Sequence, residues 1–582
     1  MRREVAGVPK EFVPLTHAGG SLAEQDVPGS SIRLGEYQGR RRFTLIFLTK
    51  KRRGRRWAAA LLAAVLLLWS AVGGQSEEYD WRASEELRSQ LYHLSLDTEN
   101  EIDLSNSEET DMVMAYTADD TFNPYTCQST LTQNICHLIY DNLIDLNPNF
   151  EPEYIVAKNV TVDHTIIHVQ VRSGLVFSNG APLTAEDVSY SYYTAAKTKG
   201  SIYAERLKDV ISCSMEGMTV TFVMQNENVN AYRLLDFPII HFDPSANKDF
   251  PPIGSGRYKF ATFSDGVTPN TSLLVKNQKW YHPDKVQIET IGLKEMPSVE
   301  SIVHSIEIGT LSYLYSDLRD GEPKNVNANY KKVDLNNLVY LGVNTNDTVL
   351  ADENVRRAIH YAISTDRVAT AAFSGMALGA TGPFTPHWSE AAKYQTGNGR
   401  AYVNRAIELL RESGYVTTDA QGIRQDQGGV TLSFNMLVGR GNAAHLAAAE
   451  SIKSQLAEVG INVNIVEIST QGLVQRASEG KYHLYLAEYS VLNDMDISKL
   501  FTPGEGLYNG PKPYDSVRTF NNYRLGMGTL EDFITAFDGE LPFIPVCYRM
   551  GIVVYSRSLE GVGELSENQP FYHMQDWRIN KN

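Results

Sequence analysis

Side chains able to do chemistry are plentiful in this 582-residue chain, but they are scattered. Zinc hydrolysis is signalled by HExxH, phosphate binding by a glycine-rich turn ending in Lys and Ser/Thr, and dinucleotide binding by closely spaced glycines between a strand and a helix. None of the three occurs. Cys127, Cys136, Cys213 and Cys547 lack the CxxC spacing of a zinc site, and they are either free buried thiols or bridged, in which case three pairings are open. Gly254-Ser255-Gly256 is not the GxSxG of a nucleophile elbow, and its glycines are chiefly backbone permissions. Of the 13 histidines, His164 and His168 have no acid or cysteine partner in sequence and read as surface residues. Acids and amides remain, notably in EYSVLNDMDI at residues 488–497, where Asp494 and Asp496 either cap and solvate a loop or offer charge to something else. No catalytic residue, metal site or cofactor is expected. An exported peptidase or glycosidase assembled from dispersed residues has no motif in its favour.

The elements that would position such groups are clearer. From Thr165 to Arg172, Ile167, Val169 and Val171 alternate with His168, Gln170 and Arg172, the period of a strand with one buried face. Asn179-Gly180 marks a turn, and Thr184 followed by Asp187 predicts a capped helix start. Val355, Ala358, Ile359, Ala362 and Ile363 share one helical face. Residues 403–413 predict a helix closed by Gly414, and residues 442–459 another closed by Gly460, with a strand at 461–466 directly after it. Helix followed at once by strand is the rhythm of a sheet covered on both faces, so the fold class is α/β. At this length two or three domains are expected.

These segments also carry a resemblance. Residues 138–190, the Phe122-Asn123-Pro124-Tyr125 loop after an opening strand, Pro252-Ile253-Gly254-Ser255-Gly256-Arg257-Tyr258, residues 274–281, the 352–363 helix and residues 541–548 follow one another as in the family 5 extracellular solute-binding proteins of ABC importers, the oligopeptide-, dipeptide- and nickel-binding type. Arg257 stands where that family usually has proline. The resemblance runs from about residue 112 to 577. It implies a two-lobed periplasmic-binding-protein-like fold of type II, the large peptide-binding class with an extra subdomain, closing on its ligand by hinge motion. Lobe 1 with the subdomain is expected at 112–340 plus 541–582 and lobe 2 at 341–540, with hinge crossings near 340 and 540.

The resemblance further implies a site between the lobes. Peptide-binding members often pair the ligand's amino terminus with an aspartate in W-x-x-D-Y-x-[DE]-P, because a buried ammonium needs an anionic partner. Here Tyr489 replaces the tryptophan, Leu492 or Asn493 falls at the aspartate, and Asp496-Ile497 replaces the acid and proline; Asp494 is the nearest carboxylate. Loops at strand ends add Asn123 and Tyr125 from the first lobe and His387 and Trp388 from the second, each ring being either a ligand contact or part of the core. The ligand-binding expectation is thus Asn123, Tyr125, His387, Trp388, Tyr489, Asn493 and Asp494, with a peptide or another small solute as ligand. Metal chelates, sugars and opines use the same scaffold. ABC permease and ATPase subunits would be the partners.

Charge and hydropathy place the body outside the cytoplasm. Residues 1–56 carry 13 Lys/Arg against 5 Asp/Glu, a net of +8, so with −16 overall the remainder carries −24. So acidic a body argues against a nucleic-acid partner. The basic cluster at 50–56 precedes an apolar run at 57–69 and a small-x-small site at Ala71-Val72-Gly73, so residues 57–74 are either a cleaved signal peptide or a retained membrane anchor after a basic cytoplasmic n-region at 1–56. An acidic spacer at 75–111 would follow, and the body would lie at the extracellular face of the membrane or in the periplasm. A surface receptor or adhesin that keeps the lobes without transport is the alternative reading. The long basic segment and the short passage from 501 to 541 speak for it.

Overall fold

In the computed structural model, two long strands, Asn329–Val343 and Phe543–Tyr555, run antiparallel through the middle of an eleven-stranded sheet. Leu338, Val339, Tyr340, Leu341 and Val343 of the first are all buried, the near-continuous apolar run expected of a strand covered on both faces. The structure describes residues 110–242, 252–262, 269–296, 299–318, 327–395, 397–504, 506–510 and 514–580. The basic segment, the apolar run at 57–74 and all but the end of the acidic spacer lie outside the described residues. Among the described residues no helix is long and apolar enough to cross a membrane.

On one side of the long pair lie Leu484–Ser490, Ser433–Gly439 and Asn462–Ile468; on the other lie Tyr313–Ser316, Met112–Tyr116, Thr290–Glu295, Pro269–Lys276 and Tyr258–Thr262, in that order. Each side has its own parallel set. Met112–Tyr116 is parallel to both Thr290–Glu295 and Tyr313–Ser316, and Ser433–Gly439 is parallel to both Asn462–Ile468 and Leu484–Ser490. The two sides are taken as the first and second lobe of the expected two-lobed fold, with the long strands running between them. A separate four-stranded sheet, ordered Ala157–Asp163, Ile166–Val171, Thr219–Met224 and Val210–Glu216, forms with the helix Ala185–Lys197 a further layer of the first lobe.

Local sequence explains these elements. Ile167, Val169 and Val171 are buried while His168 and Gln170 face solvent, as their alternation predicts. At the helix start, the Thr184 N–H donates to Asp187 Oδ2 at 2.8 Å. Asp352 caps Glu353–Ala362, and Val355, Ala358, Ile359 and Ala362 form its buried stripe. Gly414 and Gly460 follow their helices at φ of 90° and 80°, left-handed values that glycine adopts without a Cβ penalty. Gly254 and Gly256 act differently. A Cβ at Gly256 would lie 2.6 Å from the carbonyl carbon of Ile139, and the Gly256 N–H donates to Ile139 O at 2.9 Å, so close backbone approach is what excludes a side chain. All four cysteines are free and buried. The passage from 501 to 541 holds two helices, Tyr514–Arg524 and Leu530–Glu540, whose apolar faces join the second lobe's core.

Candidate functional site

The two long strands fall out of register midway. Asp334 pairs with Met550 and Leu338 with Tyr548, so residues 335–337 stand opposite Arg549 alone. A bulge of this kind bends the ladder and frees its backbone groups for other partners. The Asn336 N–H donates to Glu567 Oε1 at 2.7 Å, and Asn336 O accepts from the Val491 N–H at 2.8 Å. Ser490 Oγ donates to Asn337 Oδ1 at 2.9 Å.

This bulge forms the floor of a cavity of about 990 Å³. Its first-lobe wall comes from the loop after Met112–Tyr116, the helix Thr130–Ile139, and the carboxyl ends of Thr290–Glu295 and Tyr313–Ser316. Its second-lobe wall is residues 490–493, and Glu567 and Asn568 close one side. Ligands in open α/β sheets sit at such carboxyl ends, where loops diverge. The lining is rich in amides and hydroxyls: Gln128, Gln133, Asn142, Asn336, Asn337 and Asn568 are among them. It is built to hydrogen-bond a polar solute at many points rather than to enclose an apolar one.

One polar network reaches from this wall across the lobes. Arg206 Nη1 donates to Asp236 Oδ2 at 2.5 Å, and the same oxygen accepts from Asn493 Nδ2 at 2.6 Å. Asn493 also exchanges contacts of 3.3 Å with Asn568. Burial pushes the Asp236 carboxyl up, against the pull of Arg206. His137, also on the wall, is lowered to about 4 by burial with the Arg257 and Arg206 charges adding, so it is neutral near pH 7.

Of the residues expected from sequence, Asn493 lies on the cavity wall. Asn123 borders the region but spends its side chain on an Asx turn, accepting from the Tyr125 N–H at 3.0 Å. Tyr125 is fully buried and its hydroxyl donates to Pro238 O at 2.8 Å, which makes it core. Trp388, 1% exposed, packs against Phe384 with the Arg233 guanidinium over its ring. His387 Nδ1 lies 3.2 Å from Asp334 Oδ2, off the cavity. Tyr489 is half-buried among second-lobe apolar residues. Asp494 is buried next to the cavity wall and accepts from Asn228 Nδ2 of the first lobe at 3.1 Å. The structure therefore does not gather the seven around one space. It brings in Arg206, Asp236, Asn336, Asn337, Glu567 and Asn568 instead. Sequence carried a signal for some of these: Asp236 interrupts the apolar run 234–240, and Asn336-Asn337 interrupts a strand of apolar residues. Polar groups in such runs are costly to bury unless something pairs with them.

Residues 149–502 match the family of bacterial extracellular solute-binding proteins, family 5, and the chain belongs to that family of substrate-binding proteins of ABC importers. The oligopeptide-binding protein AppA of Bacillus subtilis is 23% identical over 379 residues, which span 61% of this chain and 68% of AppA. Among solved structures, the unliganded open form of the periplasmic murein tripeptide-binding protein MppA superposes with a TM-score of 0.65 at 14% identity, covering 81% of this chain and 98% of MppA. A nickel ABC transporter protein of Bacillus halodurans also gives 0.65, at 18% identity, covering 78% of this chain and 96% of its own. These likenesses define the two-lobed periplasmic-binding-protein fold. Such relatives are transporter components rather than enzymes.

Proposed function

We propose that this chain is the extracytoplasmic solute-binding component of an ABC importer, and that it holds a peptide in the cavity between its lobes and hands it to a membrane permease. The observation that carries this is the cavity itself. It has room for a small peptide, both lobes and the bulge between them contribute to its lining, and its amides and hydroxyls suit a ligand that is polar along its whole length. The bulge at 335–337 opposite Arg549 is the place where the long strands can bend with least loss of ladder bonding, so lobe closure would turn there. AppA, whose name gives oligopeptides as its ligand, supports the peptide reading. The acidic body, the basic cluster before an apolar run, and the extracytoplasmic location of the relatives support placement outside the cytoplasm, with the membrane reached through residues 57–74 if they are retained.

Thermal scans test this. A solute held by both lobes binds the native state and not the unfolded chain, so at about 100 times its dissociation constant it adds about 2.7 kcal/mol of stability. Saturable upward shifts with short peptides are expected. A shift with a sugar or a nickel chelate and none with any peptide would overturn the peptide assignment.

A further inference from the structure

We propose that Cys127 and Cys136 form a disulfide as the chain folds outside the cytoplasm, and that this bridge pins one wall of the cavity, an inference that takes its oxidant from the extracytoplasmic reading above. The two sulfurs lie 4.0 Å apart, and the residues are 0% and 6% exposed. A disulfide holds its sulfurs about 2 Å apart, so closure asks each to move about 1 Å, which small side-chain rotations supply. Little bonding is given up. Cys127 Sγ is 3.8 Å from Pro124 O and Cys136 Sγ is 3.6 Å from Phe122 O, and a thiol is a weak donor. Cys213 and Cys547 are held elsewhere, on Val210–Glu216 of the four-stranded sheet and Phe543–Tyr555 of the large one.

The segment that the bridge would close faces the cavity. Gln128, Ser129, Gln133 and Asn134, all between the two cysteines, line it, and Ser129 Oγ caps the helix Thr130–Ile139 by accepting from the Leu131 N–H at 3.2 Å. Gln133 Nε2 already ties helix to loop by donating to Cys127 O at 3.3 Å. A covalent tie beside that bond restricts the opened wall and leaves the closed one as it is. As the sulfur–sulfur bond forms, the two thiols lose two protons and two electrons, and a small disulfide oxidant takes them as its own bond breaks into two thiols. This exchange needs a thiolate. Burial, and then contact with Cys127, push the Cys136 thiol well above its usual range, so the bridge is made during folding, while both sulfurs still meet solvent. The same burial afterwards shields the bond from reduction.

The test refolds the full-length chain from denaturant in a mixture of oxidised and reduced glutathione, and in parallel in excess dithiothreitol, then alkylates the remaining thiols and digests with trypsin. No Lys or Arg lies between residues 89 and 157, so Cys127 and Cys136 stay together on the fragment 89–158, and no other cysteine is on it. From the glutathione refold that fragment is expected unalkylated and two hydrogens lighter, and from the dithiothreitol refold doubly alkylated. Hydrogen exchange over residues 128–135 is expected to be about tenfold slower or more in the bridged form. The Cys127→Ser, Cys136→Ser double variant should exchange as the reduced form does. Alkylation at both positions after the glutathione refold would overturn the bridge, and equal exchange in bridged, reduced and variant forms would overturn its role in the wall. The chain isolated from cells, with thiols alkylated at lysis, separates placement from chemistry. A bridge there upholds both, whereas alkylation of both cysteines there, beside a bridge in the refold, would overturn the extracytoplasmic placement and leave the bridge standing.

Discussion

Asn228 of the first lobe and Asp494 of the second meet in the seam beside the cavity, with Nδ2 of the amide donating to Oδ2 of the carboxylate at 3.1 Å and both side chains at least nine-tenths buried. The seam continues through Val229 N–H to Arg524 O at 2.8 Å and Asn230 Nδ2 to the Tyr523 hydroxyl at 2.9 Å. These bonds must part if the lobes separate, so they tie the lobes to each other.

Asp494 makes that seam sensitive to pH. Burial first, and then the charge of Asp496, raises its carboxyl to about 7, while Arg524 and the Asp496 N–H pull the other way; Asp209 adds a further raising charge. A carboxyl with a raised folded-state value binds its proton more tightly in the native state. Its contribution is therefore full below about pH 4 and is lost as pH climbs toward 7. Each unit is worth about 1.4 kcal/mol, so the loss is on the order of 4 kcal/mol at most. Asp494→Asn keeps an acceptor for Asn228 and cannot ionise. Denaturant titrations should find the variant more stable than the parent at pH 8, with the gain vanishing by pH 4. An equal difference at both pH values would contradict the assignment.

Arg233 is a second tie between the lobes. Its Nη1 donates to Phe150 O at 2.8 Å, its guanidinium lies over Trp388, and Glu390 is 4.0 Å away. Phe150 itself, at a positive φ of 59°, is fully buried in the second lobe's core. Arg233→Ala leaves the Phe150 carbonyl without its donor, and a loss of about 1–3 kcal/mol is expected in chemical denaturation. A change within experimental error would show that water replaces the guanidinium at no cost.

The glycine loop at 254–256 gives a sharper steric test. Because a Cβ at Gly256 would press on the backbone of Ile139 rather than on a movable side chain, Gly256→Ala should destabilise the first lobe by about 1–3 kcal/mol. Gly414→Ala, where nothing lies within 4 Å, should instead cost only what its left-handed backbone demands. Equal and negligible losses at both sites would refute the close-approach account.

Much of the scaffold could be read from the chain because its signals are local. The alternation at 166–171, the cap at Thr184, the stripe at 355–362 and the stops at Gly414 and Gly460 each depend on residues within a turn or two of one another. The site was less legible because it is made by distant pairings. Asp236 meets Asn493 from 257 residues away, and Asn336 meets Glu567 from 231. The aromatic residues stayed open in sequence between ligand contact and core for a related reason. Tyr125 and Trp388 sit in loops, as ligand-contacting rings do, yet Pro238 O, Phe384 and Arg233 close around them, and only the tertiary fold reveals those neighbours.

The central claim is that solute occupies the interlobe cavity, and a cavity-filling substitution tests it most directly. Ser490 is exposed on the second-lobe wall, so Ser490→Trp adds bulk to the cavity without displacing core. Parent and variant would be purified side by side and denatured, and the released small molecules quantified by mass spectrometry. The expected result is a solute released from the parent in near-equal proportion to chain and largely missing from the variant, with the emptied variant still unfolding cooperatively despite the lost Ser490–Asn337 bond. Equal release from both would contradict the claim and place the solute elsewhere on the chain.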